Sequence, residues 1–166
     1  WLGFHAMFRK LENISDKKLV GKRMKMTLAD NRTVELWQSF MPERQKITNN
    51  RTGELISLQV YPTSFDFGFA NPHAEFEKWA AVEVADFDSV PAGMEPFVLT
   101  GGLYAIFHYR GLGGDPQIFR HIYGTWLPNS SYMLDHRPHF EILGEKYKNN
   151  DPASEEEIWI PIKAKS

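Results

Sequence analysis

Two acidic residues near the end of this chain stand in patterns that suit the binding of a flat, positively charged molecule. Glu157 precedes Trp159 by two residues in a segment that alternates acidic, aromatic and aliphatic side chains. Successive side chains of a strand point to opposite faces, so Glu157 and Trp159 are predicted to share one face, and Ile158 the other. An aromatic wall beside a carboxylate attracts a partly apolar cation. The alternative is a strand with one solvated face, on which these side chains meet by chance.

A second acid, Glu141, occupies an earlier apolar segment. Glu141 and Glu157 each lie on the face opposite to the large apolar side chains of their own strand. If the two strands are neighbours, we expect both acids to point into one cavity, where they hold a cation or perform general acid–base chemistry. The alternative is that one or both pair with Arg or Lys at the rim.

The other polar residues show no pattern typical of a metal site or a nucleophile. His136 and His139 are separated by Pro138, and no third ligand follows at the spacing of a zinc site. The absence of cysteine excludes disulfides, zinc–thiolate sites and thiol nucleophiles. The glycine cluster at 111–114 lacks a Walker lysine, so we interpret it as a strand-to-helix turn. We therefore predict no metal ion, no cofactor and no assigned catalytic residue.

Composition limits the classes of function. The chain has 166 residues, a formal net charge of -2 and 14% aromatic residues. Its length predicts a single domain, 1–166, and the ring content favours a binding cavity. The charge balance argues against direct binding of nucleic acid. No apolar run is long enough for a membrane span and no signal peptide is recognisable, so we expect a cytoplasmic protein with no membrane contact.

Two helices are expected to position these residues. In the second helix, Asp115 and Pro116 form a start signal, and an apolar face follows until Pro128. The first helix carries a similar apolar face that ends before Pro42. The two faces consist of Leu36, Trp37, Phe40 and Met41, and of Ile118, Phe119, Ile122, Tyr123, Trp126 and Leu127.

The strand candidates follow the same plan twice around these helices. One strand candidate precedes each helix and two follow it, at similar offsets, which predicts an α+β domain built from a tandem β-α-β-β duplication with halves at about 12–90 and 95–166. The candidates are 19–26, 54–61 and 79–84 in the first half, and 103–109, 139–143 and 158–162 in the second. Phe65, Phe67 and Phe69 form an aromatic ladder that is typical of a core or a lid.

Several segments together resemble the GyrI-like, or AraC-type effector-binding, domain family. The resemblance extends from about Leu19 to Lys163, in the family's order. The segments that carry it are Leu36-Trp37-x-x-Phe40-Met41-Pro42, Trp79-Ala80-Ala81-Val82-Glu83-Val84, Gly102-Leu103-Tyr104-Ala105-Ile106-Phe107, Arg137-Pro138-x-Phe140-Glu141-Ile142 and Glu157-Ile158-Trp159-Ile160-Pro161-Ile162.

This resemblance implies a fold and a set of ligand-binding residues. The fold is an antiparallel sheet with pseudo-twofold symmetry, two helices on one face and a ligand channel on the other. Members of the family bind bulky, often cationic aromatic compounds against acids and rings of the second half. The positions that match, or that line the channel by analogy, are Glu141, Leu143, Glu157, Trp159, Trp37, Phe40, Tyr61 and Tyr104.

Three functions are compatible with this resemblance. The first is a stand-alone module, or a C-terminal piece of a longer protein, that senses or sequesters hydrophobic cations; the chain has no room for a helix-turn-helix. The second is a hydrolase of electrophilic, cyclopropanoid-type toxins that uses the same pocket. The third is a protein-interaction module such as a gyrase modulator. We expect a small-molecule partner in the first case and a protein partner in the third.

Overall fold

The computed structural model describes residues 5–111, 116–144, 151 and 153–166. These residues form nine strands and two helical segments, which confirms the α+β class and the mostly antiparallel sheet. The strands are β1 (His5–Ile14), β2 (Lys17–Met26), β3 (Leu55–Val60), β4 (Phe76–Val84), β5 (Glu95–Leu99), β6 (Gly102–Arg110), β7 (Tyr132–Leu134), β8 (His139–Leu143) and β9 (Glu155–Ala164).

Both helices occur where the apolar periodicity predicts them, and both continue in a different helical form. Helix α1 (Thr33–Phe40) runs into a 3-10 helix, Met41–Lys46, because Pro42 fits a first helical turn although it cannot continue an α-helix. Helix α2 (Pro116–His121) widens into a π-helical segment, Ile122–Trp126. No helix of the described residues has the length and apolar character needed to cross a membrane.

The sheet places the two halves of the chain side by side. Its order is β1-β6-β9-β8-β3-β4-β2-β5, and β7 pairs with the end of β9. All pairings are antiparallel, and the central pair, β3 and β8, joins the first half to the second. Each edge strand pairs with a strand of the other half of the chain: β1 pairs with β6, and β5 pairs with β2. The order is therefore symmetric about the β3–β8 pair, while the tandem duplication itself stays a prediction.

Both helices cover the same face of the sheet, called the helix face below. One row of paired residues crosses this face, from Phe107 through Ile158, Glu141 and Ser57 to Ala80. At one end of the row, Phe107 and Ile158 pack beneath α2. At the other end, Ala80 packs beneath α1. Glu141 and Ser57 therefore lie at the centre of the helix face, between the two helices.

The opposite face, called the inner face, is filled by its own hydrophobic cluster. Leu19 and Leu99, from strands near one edge of the sheet, join the same cluster as Tyr104 and Ile106, from the strand next to the other edge. Such contacts require the sheet to curve around the cluster, which also contains Trp159. The described residues thus pack apolar side chains on the face where the resemblance implies a ligand channel.

Arg137 connects β6 and β9 through hydrogen bonds at the border of this core. Its Nη2 donates to the backbone oxygens of Leu103 at 2.6 Å and Ile162 at 3.2 Å, and its Nε donates to Asp135 Oδ2 at 2.7 Å. The guanidinium group lies 4.7 Å from the centre of the Tyr104 ring. Gly102 has a φ of 144° and leaves space for this group, since a Cβ there would lie 2.7 Å from Nη1.

Three strands were not predicted from the sequence. β1 and β5 alternate charged and apolar side chains irregularly, and β7 is only three residues long. The two edge strands form by pairing with distant parts of the chain, which local periodicity does not reveal. The helix start at Asp115, most of the glycine turn 111–114 and most of the predicted turn at 148–152 lie outside the described residues.

Candidate functional site

Four buried polar side chains form an array at the centre of the helix face. Ser57 is paired with Glu141, and Gln59 with His139, across the β3–β8 junction. Their exposed fractions are between 4% and 9%. This central array is unusual because the middle of a covered sheet is normally apolar, and each buried polar group costs free energy unless it is hydrogen bonded.

Glu141 is the acidic member of the central array. Its Oε1 accepts a long, 3.4 Å hydrogen bond from Gln59 Nε2, and the same nitrogen lies 3.4 Å from Ser57 Oγ. No Lys, Arg or His of the described residues forms an ion pair with it within 4.0 Å. Burial raises the pKa of Glu141 to about 8, an effect that the positive charge of Lys78 partly offsets. The neutral, protonated acid is therefore favoured in the ligand-free protein.

Lys78 and Glu156 extend this site along the helix face. Lys78 of β4 is paired with Gln59 of β3. Glu156 of β9 precedes Ile158 by two residues. Both side chains therefore point to the helix face, on which Glu141 lies. Burial raises the pKa of Glu156 to about 7, and the positive charge of Lys78 partly offsets this shift. Burial lowers the pKa of Lys78, and the negative charges of Glu141 and Glu156 partly offset that shift. Lys78 Nζ donates to Thr33 Oγ1, in the first residue of α1, at 3.1 Å.

Aromatic rings cover one end of the central array. The segment 62–75, called the aromatic loop, lays Phe67 flat on the ring of His139, with centroids 5.0 Å apart and planes 12° apart. Tyr61 meets the edges of Phe67 and His139 at 4.9 Å. Tyr123 of the α2 segment lies 4.9 Å from Phe67. These rings provide an apolar surface beside the buried acid.

The rings nearest to Glu141 carry no charge of their own at neutral pH. Burial lowers the pKa of His139 to about 3, and burial raises the pKa values of Tyr61 and Tyr123 above the usual range for a phenol. The Tyr123 hydroxyl lies 2.7 Å from His139 Nδ1 and satisfies both polar groups. The groups of the site that can change their charge near neutral pH are therefore Glu141, Glu156 and Lys78.

A small cavity opens beside this ring cluster. It has a volume of about 160 Å³, and Tyr61, Phe67 and His139 belong to its lining, whereas Glu141 does not. Ligand pockets usually have roughly 300–1,000 Å³. A ligand that is to reach Glu141 from this side must therefore displace rings of the aromatic loop. A second cavity of about 340 Å³ lies between Val82 and the 3-10 helix.

The structure corrects the expected meeting of Glu141 and Glu157. Glu141 is paired with Ile158 and Glu157 with Ile142, so the two acids lie on opposite faces of the sheet. The prediction that they point into one cavity is wrong because β8 and β9 place their large apolar residues on different faces. Glu157 instead accepts a 3.3 Å hydrogen bond from Trp159 Nε1 on the inner face.

The other predicted site residues divide between the two faces. Trp159 stacks on Phe140 at 5.1 Å and Tyr104 is fully buried, so both belong to the core of the inner face. Tyr61 and Leu143 lie on the helix face with Glu141. Phe40, the last residue of α1, is fully buried between this helix and the sheet. The ring of Trp37 packs against it, with centroids 5.9 Å apart.

Sequence reasoning missed Lys78, Glu156, His139 and Tyr123 as members of the site. The signal for Glu156 was present, because strand alternation places it on the face of Ile158. The signal for Tyr123 was its place on the apolar face of α2. Lys78 has no local signal, since only the pairing of β3 with β4 brings it near Glu141. Among the described residues, no group of three or more His, Asp or Glu side chains is arranged to hold a metal ion.

Comparison with known proteins gives this geometry a context. The family model described as "Cass2: Integron-associated effector binding protein" matches residues 10–162. The transcriptional regulator BrlR of Pseudomonas aeruginosa is 28% identical over 132 residues, which are 77% of this chain and 45% of BrlR. The chain thus spans less than half the length of that regulator.

Two solved structures share the fold over nearly their whole length. An integron cassette protein of Vibrio cholerae has a TM-score of 0.67 and 14% identity, with 95% of this chain and 99% of that chain covered. SAV2435 bound to tetraphenylphosphonium has a TM-score of 0.69 and 16% identity, with 95% of this chain and 94% of that chain covered. At these identities the likeness is one of fold.

Proposed function

Because the chain belongs to the Cass2 family of integron-associated effector binding proteins, we propose that it binds hydrophobic, cationic aromatic molecules between its two helices. Glu141 is the counter-charge in this proposal, and Tyr61, Phe67 and Tyr123 are the rings that contact the ligand. The protein acts as a sensor or a sequestering module for such molecules.

The burial of Glu141 without an ion-pair partner carries the proposal. A carboxylate in an apolar environment loses hydration, and a ligand cation that neutralises it recovers part of that free energy. The exposed fraction of Glu141 is 9%, and its hydrogen bond from Gln59 is long and uncharged. A site built only for stability would place an apolar residue at this position, since an unpaired buried acid is destabilising.

The rings support a ligand that is both aromatic and positively charged. An aromatic face attracts a cation within about 6 Å, with about 2 kcal/mol or more when the pair is desolvated. Phe67 and Tyr123 also offer apolar area, which does not require one particular ligand shape. The phosphonium bound by SAV2435, a protein of the same fold, supports the choice of an aryl-phosphonium cation as the first probe.

A calorimetric titration with a matched pair of probes tests the proposal. Methyltriphenylphosphonium and the neutral triphenylphosphine oxide have the same three phenyl rings and differ in charge. We expect saturable one-to-one binding of the cation with a Kd on the order of 1–100 μM, and binding of the oxide at least about tenfold weaker. No saturation by the cation at millimolar concentration, or equal affinity for both probes, would contradict the proposal.

A further inference from the structure

The cavity of about 340 Å³ at Val82 lies apart from the central array, at the opposite end of α1 from Thr33. Its volume is within the usual range of ligand pockets. It opens between β4 and the 3-10 helix that continues α1. We call it the Arg44 cavity; its lining consists of Met41, Arg44, Gln45, Ile47, Asn50 and Val82. No member of the central array lines it, so it is a separate candidate site.

Arg44 is the one charged side chain among the described residues that line this cavity. Its Nη2 donates to the backbone oxygen of Gly53 at 2.8 Å, which ties the side chain to the segment before β3. Within the described part of the chain, no acid forms an ion pair with Arg44 within 4.0 Å. A guanidinium group has five N–H donors in a planar fork that matches a carboxylate. Arg44 therefore offers an anion a positive charge that no acid neutralises.

The acids that follow and precede this lining in sequence have other partners. Glu43 forms an ion pair with Lys46 along the 3-10 helix. Glu83 of β4 points to the inner face and pairs with Lys17 at 3.6 Å and with Arg51 at 3.7 Å. The lining of the Arg44 cavity thus has a positive charge without a negative one, and it disfavours the hydrophobic cations proposed for the centre of the helix face.

Three apolar side chains form one wall of the Arg44 cavity. Val82 and Ile47 have exposed fractions of 1% and 6%, so packing holds them in place. Met41 is 41% exposed, and its flexible thioether is suited to contact with the edge or face of an aromatic ring. We call these three residues the apolar wall. It provides area for a compact ring or a branched aliphatic group beside the guanidinium group.

Two exposed amides complete the polar part of the lining. Asn50 Nδ2 donates to the backbone oxygen of Thr52 at 2.9 Å and carries a second N–H group. Gln45 lies next to Arg44 on the 3-10 helix. An amide N–H group donates to a carboxylate oxygen without adding charge. The polar groups of the lining therefore suit an anion with one negative charge.

We propose that the Arg44 cavity binds a small aromatic carboxylate, with the carboxylate on the guanidinium group and the ring on the apolar wall. A phosphate monoester fits less well, because it carries a charge of about -1.5 to -2 at neutral pH and the lining holds one cation. The protein then has two sites of opposite preference, one for cations and one for anions. This inference goes beyond the proposed function and does not depend on it.

An NMR titration of the nitrogen-15-labelled protein with benzoate and benzamide tests the inference. The two probes share the phenyl ring and differ in charge. We expect benzoate to shift the backbone amide signals of residues 41–53 in a saturable way, with a Kd on the order of 0.1–1 mM. Benzamide is expected to bind at least about tenfold more weakly, because a hydrogen bond to a charged acceptor is roughly twice as strong as a neutral one.

Two variants of the lining test the role of its charge. Arg44→Gln removes the guanidinium group and is expected to raise the Kd for benzoate at least about tenfold. Gln45→Glu adds a negative charge at an exposed position and is expected to have an effect of the same size. The second variant keeps the hydrogen bond from Arg44 to Gly53, so it serves if Arg44→Gln alters the fold.

Matched variants outside the lining control for net charge. Arg51→Gln removes an arginine whose side chain is 61% exposed. Gln38→Glu adds an acid at an exposed position of α1. Both are expected to keep the Kd for benzoate within about threefold. Glu141→Gln should also keep it within this limit, because Glu141 does not line the cavity.

The outcomes separate this inference from the proposed function. No saturable shift in residues 41–53 at about 20 mM benzoate, or equal binding of benzamide, overturns the inference and leaves the proposed cation site untouched. Losses with Arg51→Gln or Gln38→Glu as large as those with the lining variants would reduce the effect to net charge and overturn it too. A loss of benzoate binding in Glu141→Gln would place the anion elsewhere and would likewise contradict the inference.

Discussion

Replacement of Glu141 by glutamine is expected to weaken the binding of methyltriphenylphosphonium at least about 50-fold. The substitution keeps the shape and the hydrogen-bonding capacity of the side chain and removes its charge. Loss of one partner from a buried charge pair typically costs about 2–5 kcal/mol, and each 1.4 kcal/mol is a factor of ten in the Kd. Calorimetric titration of the variant and the wild type measures the ratio directly.

Glu157 provides the matched control for this experiment. It is the same residue type in the neighbouring strand, and it lies on the inner face beside Trp159. We expect Glu157→Gln to keep the wild-type Kd within about threefold. A large loss with Glu157→Gln, or a Kd that Glu141→Gln does not change, would show that the ligand binds on the inner face and would overturn the assignment of the site.

The free energy of unfolding is expected to fall by about 1.5 kcal/mol as the pH rises from 7 to 8.5. Burial raises the pKa of Glu141 to about 8 and that of Glu156 to about 7, whereas both acids titrate near 4.5 in the unfolded chain. Above pH 7, His139 is neutral in the folded and in the unfolded state, although burial lowers its pKa to about 3, so the two acids decide and the folded protein binds more protons than the unfolded chain. Stability is then fully present below the unfolded pKa and is lost as the pH rises through the folded values.

Urea unfolding at a series of pH values measures this loss. Glu141→Gln removes the larger of the two shifts, so its unfolding free energy should exceed that of the wild type at pH 8.5 by about 2 kcal/mol and depend less on pH. Glu157→Gln should follow the wild-type profile. A wild-type stability that is constant or rises over the same interval would contradict the buried state of these acids.

The sequence predicts the helices and most strands because their signals are local. The apolar faces of α1 and α2 and the stop at Pro128 depend on spacing within one segment. Strand alternation likewise separates Ile158 from Trp159 correctly. The resemblance to an effector-binding family, which rests on several segments in order, is confirmed by the family match over residues 10–162.

The site was only partly predictable because both faces of this sheet are covered. In a sheet with one solvated face, the apolar residues of neighbouring strands share a side, and the acids opposite them converge. Here Phe140 packs on the inner face and Ile158 on the helix face, although both are apolar. The register of β8 against β9 decides which acid joins Glu141, and that register selects Glu156 instead of Glu157.

The aromatic loop shows a second limit of sequence reasoning. The alternation of Phe65, Phe67 and Phe69 resembles a strand, yet the segment forms turns in which Asp66 Oδ1 accepts a hydrogen bond from the backbone N–H of Gly68 at 2.9 Å. Phe69 adopts a positive φ of 60°, which breaks the alternation. The position of Phe67 on His139 follows from long-range packing between this loop and β8.

A crystal structure of the complex with methyltriphenylphosphonium tests the central claim most directly. The account predicts that the cation lies on the helix face between α1 and α2, with its phosphorus atom closer to Glu141 than to Glu157. The ring of Phe67 should have moved from His139, because the present cavity of about 160 Å³ does not reach Glu141. A cation bound on the inner face beside Glu157 and Trp159, or in the cavity at Val82, would contradict the account.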